Sequence, residues 1–364
     1  MRSVLAVLLA AVCFGTTGTA QALGPDADPL SIGAARLVVG GGALALIAGA
    51  QALAARRRAR ATAPVDRPCT RRRDAADAAG RALPRTRRRL PSWLLVAVGA
   101  LGILAYQPAF FAGTAANGVA IGTVVALGSA PVLTGALDWL TRRRYPGHRW
   151  LVATAIATSG VAILAFAAGG GTGDGAGGGA GGGADASTGA DPAGLAASVA
   201  AGLSYAVYTL AAKALIDRGW RSNTSMGALF GTSAIVALPI LAATDASWLA
   251  EPGGAAMALW LGLVTTTLAY VLFGFGLVGL APATVSTLTL AEPLTAGLLG
   301  VLLLGEQLAP AAWVGLAVLA AGIVVLATGS GSGPRRMSGA GTSVEEWTSS
   351  SSPASGSTPP RGTT

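Results

Sequence analysis

Ten apolar stretches, each long enough to cross a bilayer, occupy most of this chain. They run Val4 to Ala22, Ile32 to Ala54, Trp93 to Ala112, Asn117 to Leu140 and Leu151 to Ala168. After a glycine-rich gap come Leu195 to Leu215, Ser225 to Ala243, Ala255 to Phe275, Ala283 to Leu304 and Ala311 to Ala327. A hydrocarbon core ~30 Å thick needs about 20 apolar residues of helix. A chain built this way cannot leave so much apolar surface in water. The expected fold is an all-α membrane protein with ten transmembrane helices.

The arginines set the orientation. Arg56, Arg57, Arg58, Arg60, Arg67, Arg71 to Arg73, Arg81, Arg85 and Arg87 to Arg89 lie between spans two and three. Arg142 to Arg144 and Arg149 lie between spans four and five; Lys213 lies at the end of span six, and Arg218 and Arg221 follow it. The alternate loops carry Asp26 and Asp28, then Asp174, Asp185 and Asp191, then Asp245 and Glu251. Basic residues beside a span resist translocation and mark the cytoplasmic side. Ten spans with both termini cytoplasmic, in a cell membrane, satisfy this pattern. Arg36 alone breaks it, and near the start of span two its long side chain is expected to snorkel to the outer interface.

The net charge of +9 is therefore a topology signal more than a statement about partners. The loop over 55–91 has no interleaved aromatics, so weak attraction to anionic headgroups is expected and nucleic acid binding is not. Cys13 lies inside span one and Cys69 in the basic loop, so no disulfide is expected. With His148 as the single histidine, no metal site can be assembled from His and Cys, and no cofactor is expected. Span one has the look of a signal peptide but reads as a retained helix, because cleavage would destroy the symmetry described next. Arginine in place of lysine, with abundant Ala and Gly, points to a GC-rich bacterial genome.

The chain divides at a linker over 169–193, giving five spans over 1–168 and five over 194–328. A tail over 329–364, rich in Ser, Thr, Gly and Pro, is expected to be disordered. Pro131, Gly135 and the run Gly160 to Ala165 recur as Pro293, Gly297 and Gly322 to Ala327, all displaced by 162 positions. An odd number of spans per half forces the two halves to insert in opposite senses. Two five-helix inverted repeats with a site near the midplane are a design of secondary transporters. The triplet Gly173, Gly175 and Gly178 has dinucleotide-fingerprint spacing but lacks the strand and helix that such a site needs.

Three segments resemble the drug/metabolite transporter superfamily, in its EamA-like ten-helix group. They are Phe14 to Ala20, Ala34 to Leu37, and the set Ala291 to Ala296, Leu304-Gly305-Glu306, Trp313-Val314-Gly315 and Gly322. The first repeat departs from the family at Leu137-Asp138-Trp139-Leu140, where a Leu-Gly-Glu-like step is usual. The resemblance implies export or uptake of small metabolites, amino acids or drugs by alternating access, and export is the direction expected here.

Glu292 is the one carboxylate well inside a span, ~13–14 Å along the helix from Ala283. A charge there costs several kcal/mol unless it is paired, hydrated or protonated. Two readings stand: Glu292 binds a proton or a cationic group, or it braces backbone broken by Pro293. Tyr106, Gln107, Tyr205, Tyr208 and Tyr270 are further candidates for the same cavity, with Ser204, Thr265 to Thr267, Ser286, Thr287 and Thr289 nearby in sequence. Intramembrane hydroxyls more often bond to a helix backbone, so packing is the default for each. As a set they suit a small uncharged or zwitterionic substrate. Pro108, Pro131 and Pro293 are candidate helix breaks. Gly118 with Gly122, and Gly227 with Gly231, have the spacing of close helix contacts, within one monomer or across a homodimer.

A secondary transporter is thus the leading function. A membrane enzyme would need a cluster of acids, bases or ligands that the sequence does not offer, and a channel would need a recurring charged ring. No phosphate-binding G-x-x-x-x-G-K-[ST] segment supports an ATP-driven pump. The topology has a direct check. A cysteine placed in the linker at 178 should react with an impermeant reagent added outside, and one placed at 72 should not; labelling of both from one side would contradict ten spans.

Overall fold

The computed structural model describes residues 1–61, 90–143, 145–169 and 191–329. The expectations for most of the basic loop with Cys69, for Arg144, for most of the linker and for the tail from 330 onward lie outside these residues. The helices are α1 (Arg2–Ala22), α2 (Pro29–Ala61), α3 (Ser92–Arg142), α4 (His148–Gly169), α5 (Pro192–Ile216) and α6 (Ser222–Ala243). Then come α7 (Pro252–Leu259), a π-helical stretch (Trp260–Leu268), α8 (Ala269–Gly279), α9 (Pro282–Leu288), α10 (Ala291–Leu304) and α11 (Pro310–Gly329). The first three of these form one span, Pro252–Gly279, and α9 with α10 form another, Pro282–Leu304. Among the described residues there are no strands, and nine such helical segments are long and apolar enough to cross a membrane.

One of the nine counts twice. A straight helix of the 51 residues in α3 would be ~75 Å long, more than twice the hydrocarbon core. Gly118 interrupts it with φ 78° and ψ 158°, a conformation that glycine alone adopts without strain. A Cβ built on Gly122 would lie 2.7 Å from the Cα of Thr114. Eight residues of straight helix would hold those positions ~12 Å apart. The chain therefore reverses at Gly118, between spans three and four, and the apolar spans among the described residues number ten. The helix runs through Pro108 and Pro131, so the break falls at the glycine and not at these prolines.

At 33 residues, α2 is longer than its apolar span and carries helix through Arg56, Arg57, Arg58 and Arg60. Ala and Arg are strong helix formers, so the chain stays helical after the apolar run ends. Asp191 caps the N-terminus of α5 by accepting from Gly194 N at 2.9 Å.

Small residues bring the helices together. Spans three and four both pack on span six: Gly102 faces the Ser204 carbonyl, and Gly202 faces the Ala126 carbonyl. Spans eight and nine both pack on α1, where Gly276 faces Val7 and Gly15 faces Thr295. Span two lies along span seven, with Gly227 against the Leu44 backbone and Gly231 against Ala45, so this glycine pair packs within the monomer. Span five lies along span ten. A Cβ on Gly160 would sit 2.7 Å from Leu319 Cα, and one on Gly322 would sit 2.6 Å from Ala157 N. Helices in lipid associate by such close backbone approach, since no hydrophobic driving force separates protein from solvent there.

This crossing yields a stability prediction. Gly160→Val forces α4 away from α11 and should cost about 1–3 kcal/mol. Gly42→Ala, where a new Cβ meets nothing within 4 Å, should be neutral or slightly stabilising. Thermal unfolding of the purified variants reads the difference, and equal losses would contradict the packing described.

Candidate functional site

Span nine is broken where Glu292 sits. Pro293 has no N–H to give to the Thr289 carbonyl, and Glu292 N takes that carbonyl instead at 2.9 Å. Leu290 N bonds to the Thr287 carbonyl at 3.1 Å in the same tightened register. The backbone thus satisfies its own break. Among the described residues the Glu292 carboxylate makes no hydrogen bond or direct ion pair. It lines a small cavity of about 30 Å³ with Tyr106, Tyr205, Ser286, Thr289 and Pro293, room for about one water molecule.

The tyrosines divide into wall and support. Tyr106 stacks on Phe110 with ring centroids 6.1 Å apart. Thr289 gives its single hydroxyl proton to the Ser286 carbonyl at 2.8 Å, so the Tyr205 hydroxyl must donate to Thr289 Oγ1 at 2.9 Å. Tyr208 and Tyr270 join through their hydroxyls at 3.2 Å, inside an aromatic cluster with Phe14, Phe230 and Phe273. Gln107 faces elsewhere: its amide lies against Gly33 of α2 and is absent from the cavity lining. Most of the neighbouring hydroxyls bond to backbone, as Ser286 and Thr287 do to the Ala283 carbonyl at 2.9 and 3.1 Å. Trp150 Nε1 donates to that carbonyl and to Thr287, which anchors span five on span nine.

Arg36 requires a correction. It does not snorkel outward; it is half-buried and turned into the bundle. Its Nε donates to Thr266 Oγ1 at 2.9 Å and a terminal nitrogen to the Thr265 carbonyl at 3.3 Å. Both acceptors belong to the π-helical stretch. In that wider register Thr266 and Thr267 send their hydroxyl protons five residues back, to the Leu261 and Gly262 carbonyls at 2.9 and 3.0 Å. The shift leaves Thr266 Oγ1 and the Thr265 carbonyl as acceptors pointing at α2. Such π segments recur at functional positions in helices. The available signal was energetic: a cation at this depth needs internal partners, and three consecutive threonines in span eight supply them.

The two ends of the bundle differ. At the basic end Arg142 is held by Asp138 at 2.7 Å and by Asp217 on the α5 terminus. Lys213 reaches Asp217 at 3.5 Å and the Leu277 carbonyl at 2.6 Å, and Arg218 donates to Ser92 Oγ at 3.3 Å. Spans three, four, six and eight are thereby tied together. At the far end a cleft of about 430 Å³ opens between spans one, eight and nine, lined by Thr16, Leu23, Met257, Trp260, Leu299 and Leu303 among others.

The comparisons with known proteins agree with this architecture. Residues 192–328 match the model of the EamA-like transporter family. The protein named uncharacterized transporter YwfM, from Bacillus subtilis (strain 168), is 35% identical over 323 residues, which cover 88% of this chain and 92% of that one. An uncharacterized transporter of Archaeoglobus fulgidus is 30% identical over 134 residues, 36% of this chain and 47% of that one. One crystal structure of a protein aligns with 89% of this chain and 97% of its own at a TM-score of 0.62 and 18% identity, a likeness of fold alone. This chain is a multi-pass membrane protein and belongs to the EamA-like transporter family of the drug/metabolite transporter superfamily.

Proposed function

We propose that the protein is a secondary transporter moving a small metabolite, amino acid or drug-like molecule by alternating access between two five-helix inverted repeats. The observation that carries this reading is a pairing of opposites. Exchanging the halves (span one with six, three with eight, four with nine) turns spans one, eight and nine into spans six, three and four. The first set lines the open cleft at the far end, and the second is tied shut at the basic end by Arg142, Asp217, Arg218 and Ser92. Leu303 and Thr141, at corresponding ends of spans nine and four, are 162 positions apart, the offset of the repeated Pro and Gly positions.

The packing supports the same symmetry. Spans three and four on six correspond to spans eight and nine on one, while the pairs two–seven and five–ten map onto themselves. Gly160 meets Leu319 and Gly322 meets Ala157, a reciprocal contact under the offset of 162. Such an assembly has two mirror arrangements of similar energy, one open at each end, and the site between them is exposed in turn.

Glu292 is the coupling group in this reading. It sits at the helix break between the two ends, and its carboxylate faces the Tyr106–Tyr205 cavity without bracing the Pro293 break. A carboxylate at that depth is held by a proton, water or a cationic group of the substrate. We favour export through a bacterial cell membrane with the termini in the cytoplasm; the arginine distribution supports the sidedness, and the family supports transport. Catalysis finds no support in this arrangement.

Glu292→Gln keeps shape and hydrogen bonding but removes the titratable charge. Transport by vesicles carrying this variant should fall tenfold or more and lose its dependence on an imposed pH gradient, while folded abundance stays near normal. Glu292→Ala should also fold, because the backbone satisfies the break. Wild-type transport with an unchanged pH profile in the Gln variant would remove Glu292 from the mechanism.

A further inference from the structure

We propose that the far-end cleft between spans one, eight and nine is a binding site for one acyl chain of a bilayer lipid, with phosphatidylethanolamine as the occupant. The site does not depend on the transport reading.

Spans one and eight meet at both ends of the cleft. At the outer end a Cβ on Gly24 would lie 2.3 Å from Met257 Sδ, and one on Gly253 would lie 3.9 Å from Pro25 Cδ. At the inner end Trp260 Nε1 donates to Thr16 Oγ1 at 3.0 Å. The two spans thus form one wall, and Leu299 and Leu303 of span nine form the other. The floor is closed, because Gly15 packs on the Glu292 carbonyl and on Thr295, where a Cβ would come within 2.8 and 2.6 Å. The cleft and the Glu292 cavity have no lining residue in common. The open side is flanked by Leu23, Trp260 and Leu303, which are 71%, 46% and 63% exposed. Trp260 and Leu303 belong to membrane spans, where the medium around an exposed side chain is hydrocarbon. The cleft is a lateral recess of the lipid-facing surface.

Water has little to hold it there. No charged side chain lines the cleft. Thr16 gives its hydroxyl proton to the Cys13 carbonyl at 2.7 Å and accepts from Trp260, so both side chains are satisfied. Among the described residues Thr19 is left as the one lining hydroxyl without a hydrogen bond. A held water needs two to four polar partners, and apolar cavities take apolar ligands instead. The volume of about 430 Å³ falls in the ~300–1,000 Å³ range of small-molecule pockets. From Thr16 to Leu23 the cleft runs ~10 Å along span one, most of the ~15 Å depth of one leaflet. An acyl tail entering from the bilayer side fits that depth and that chemistry.

Charge at the mouth selects the headgroup. Asp26 and Glu251 stand two residues from Gly24 and Gly253, the lining glycines at the outer end. Asp28 and Asp245 lie in the same loops, and the segments 23–31 and 244–253 carry no Lys or Arg. Such a mouth repels anionic headgroups. It attracts an ethanolamine ammonium, whose N–H donors carboxylates accept and which a quaternary choline lacks.

The test uses the full-length protein in nanodiscs made from equal parts of phosphatidylethanolamine, phosphatidylcholine and phosphatidylglycerol. Native mass spectrometry after release from the discs should find one phosphatidylethanolamine retained per chain. Ala20→Phe and Ala256→Phe fill the cleft and should cut that retention tenfold or more in folded protein. Leu302→Phe, on an exposed face outside the lining, should leave it intact. If the cleft-filling variants do not fold, Leu299→Cys in a Cys13→Ser, Cys69→Ser background decides. An impermeant thiol reagent should leave that cysteine unlabelled in the discs, while Leu23→Cys at the rim reacts. Unchanged retention in the folded Phe variants, a preference for phosphatidylcholine or phosphatidylglycerol, no lipid on the wild type, or rapid labelling of Leu299→Cys would each overturn the assignment.

Discussion

Hydrocarbon offers no hydrogen bonds, so every departure from regular helix in this bundle must be satisfied by the protein itself. Three such departures in the described span-forming helices each have an internal solution. Gly118 reverses the chain between spans three and four, where Asn117 exchanges hydrogen bonds with the backbone of Asp191 at 3.1 and 2.7 Å. The π stretch of span eight gives its displaced acceptors to Arg36. The break in span nine is closed by the Glu292 N–H in place of the one Pro293 lacks. The second departure holds a cation and the third adjoins a carboxylate. In a medium that penalises each charge by several kcal/mol, these are the positions we propose as the working centre of the molecule.

Close glycine crossings give this centre a stable frame. The reciprocal contact of α4 with α11, and the groove of α2 against α6, bring backbones together with at most small side chains between them. Tight interfaces of this kind favour rigid-body movement over deformation, because packed surfaces exchange discrete arrangements and do not stretch. Ion pairs at the basic end can dissociate at modest cost, since Asp217 is exposed and its pairs are partly solvated. The contrast fits a machine whose helix pairs stay intact while one end releases and the other closes.

Much of the fold was legible in the sequence because lipid constrains composition so strongly. The apolar runs specify the spans without reference to contacts, and the alternating arginines and the repeated Pro and Gly positions carry the sidedness and the inverted pairing that we propose. Glu292 was visible for the same reason, as a carboxylate where carboxylates are expensive. Other features depended on geometry that no local pattern encodes. Pro108 and Pro131 carried a break signal, yet the helix accommodates both and turns at Gly118, whose role needed the backbone dihedral. Gln107 follows Tyr106 in sequence but faces α2, as neighbours ~100° apart on a helix must diverge. Arg36 looked like an interfacial anchor because its partners lie more than two hundred residues away, in a π register that sequence does not announce.

The central claim is that the two ends of the bundle open in alternation around one buried site. Spin labels at Leu23 and Leu303 span the far cleft, and labels at Thr141 and Arg221 span the basic end. Distance distributions from pulsed electron resonance in nanodiscs are then compared between the wild-type background and Arg142→Ala, which releases the tie to Asp217. The account predicts opposed shifts in the variant: a longer basic-end distance together with a shorter far-end distance. Both ends opening together, or neither responding, would contradict alternating access in this protein.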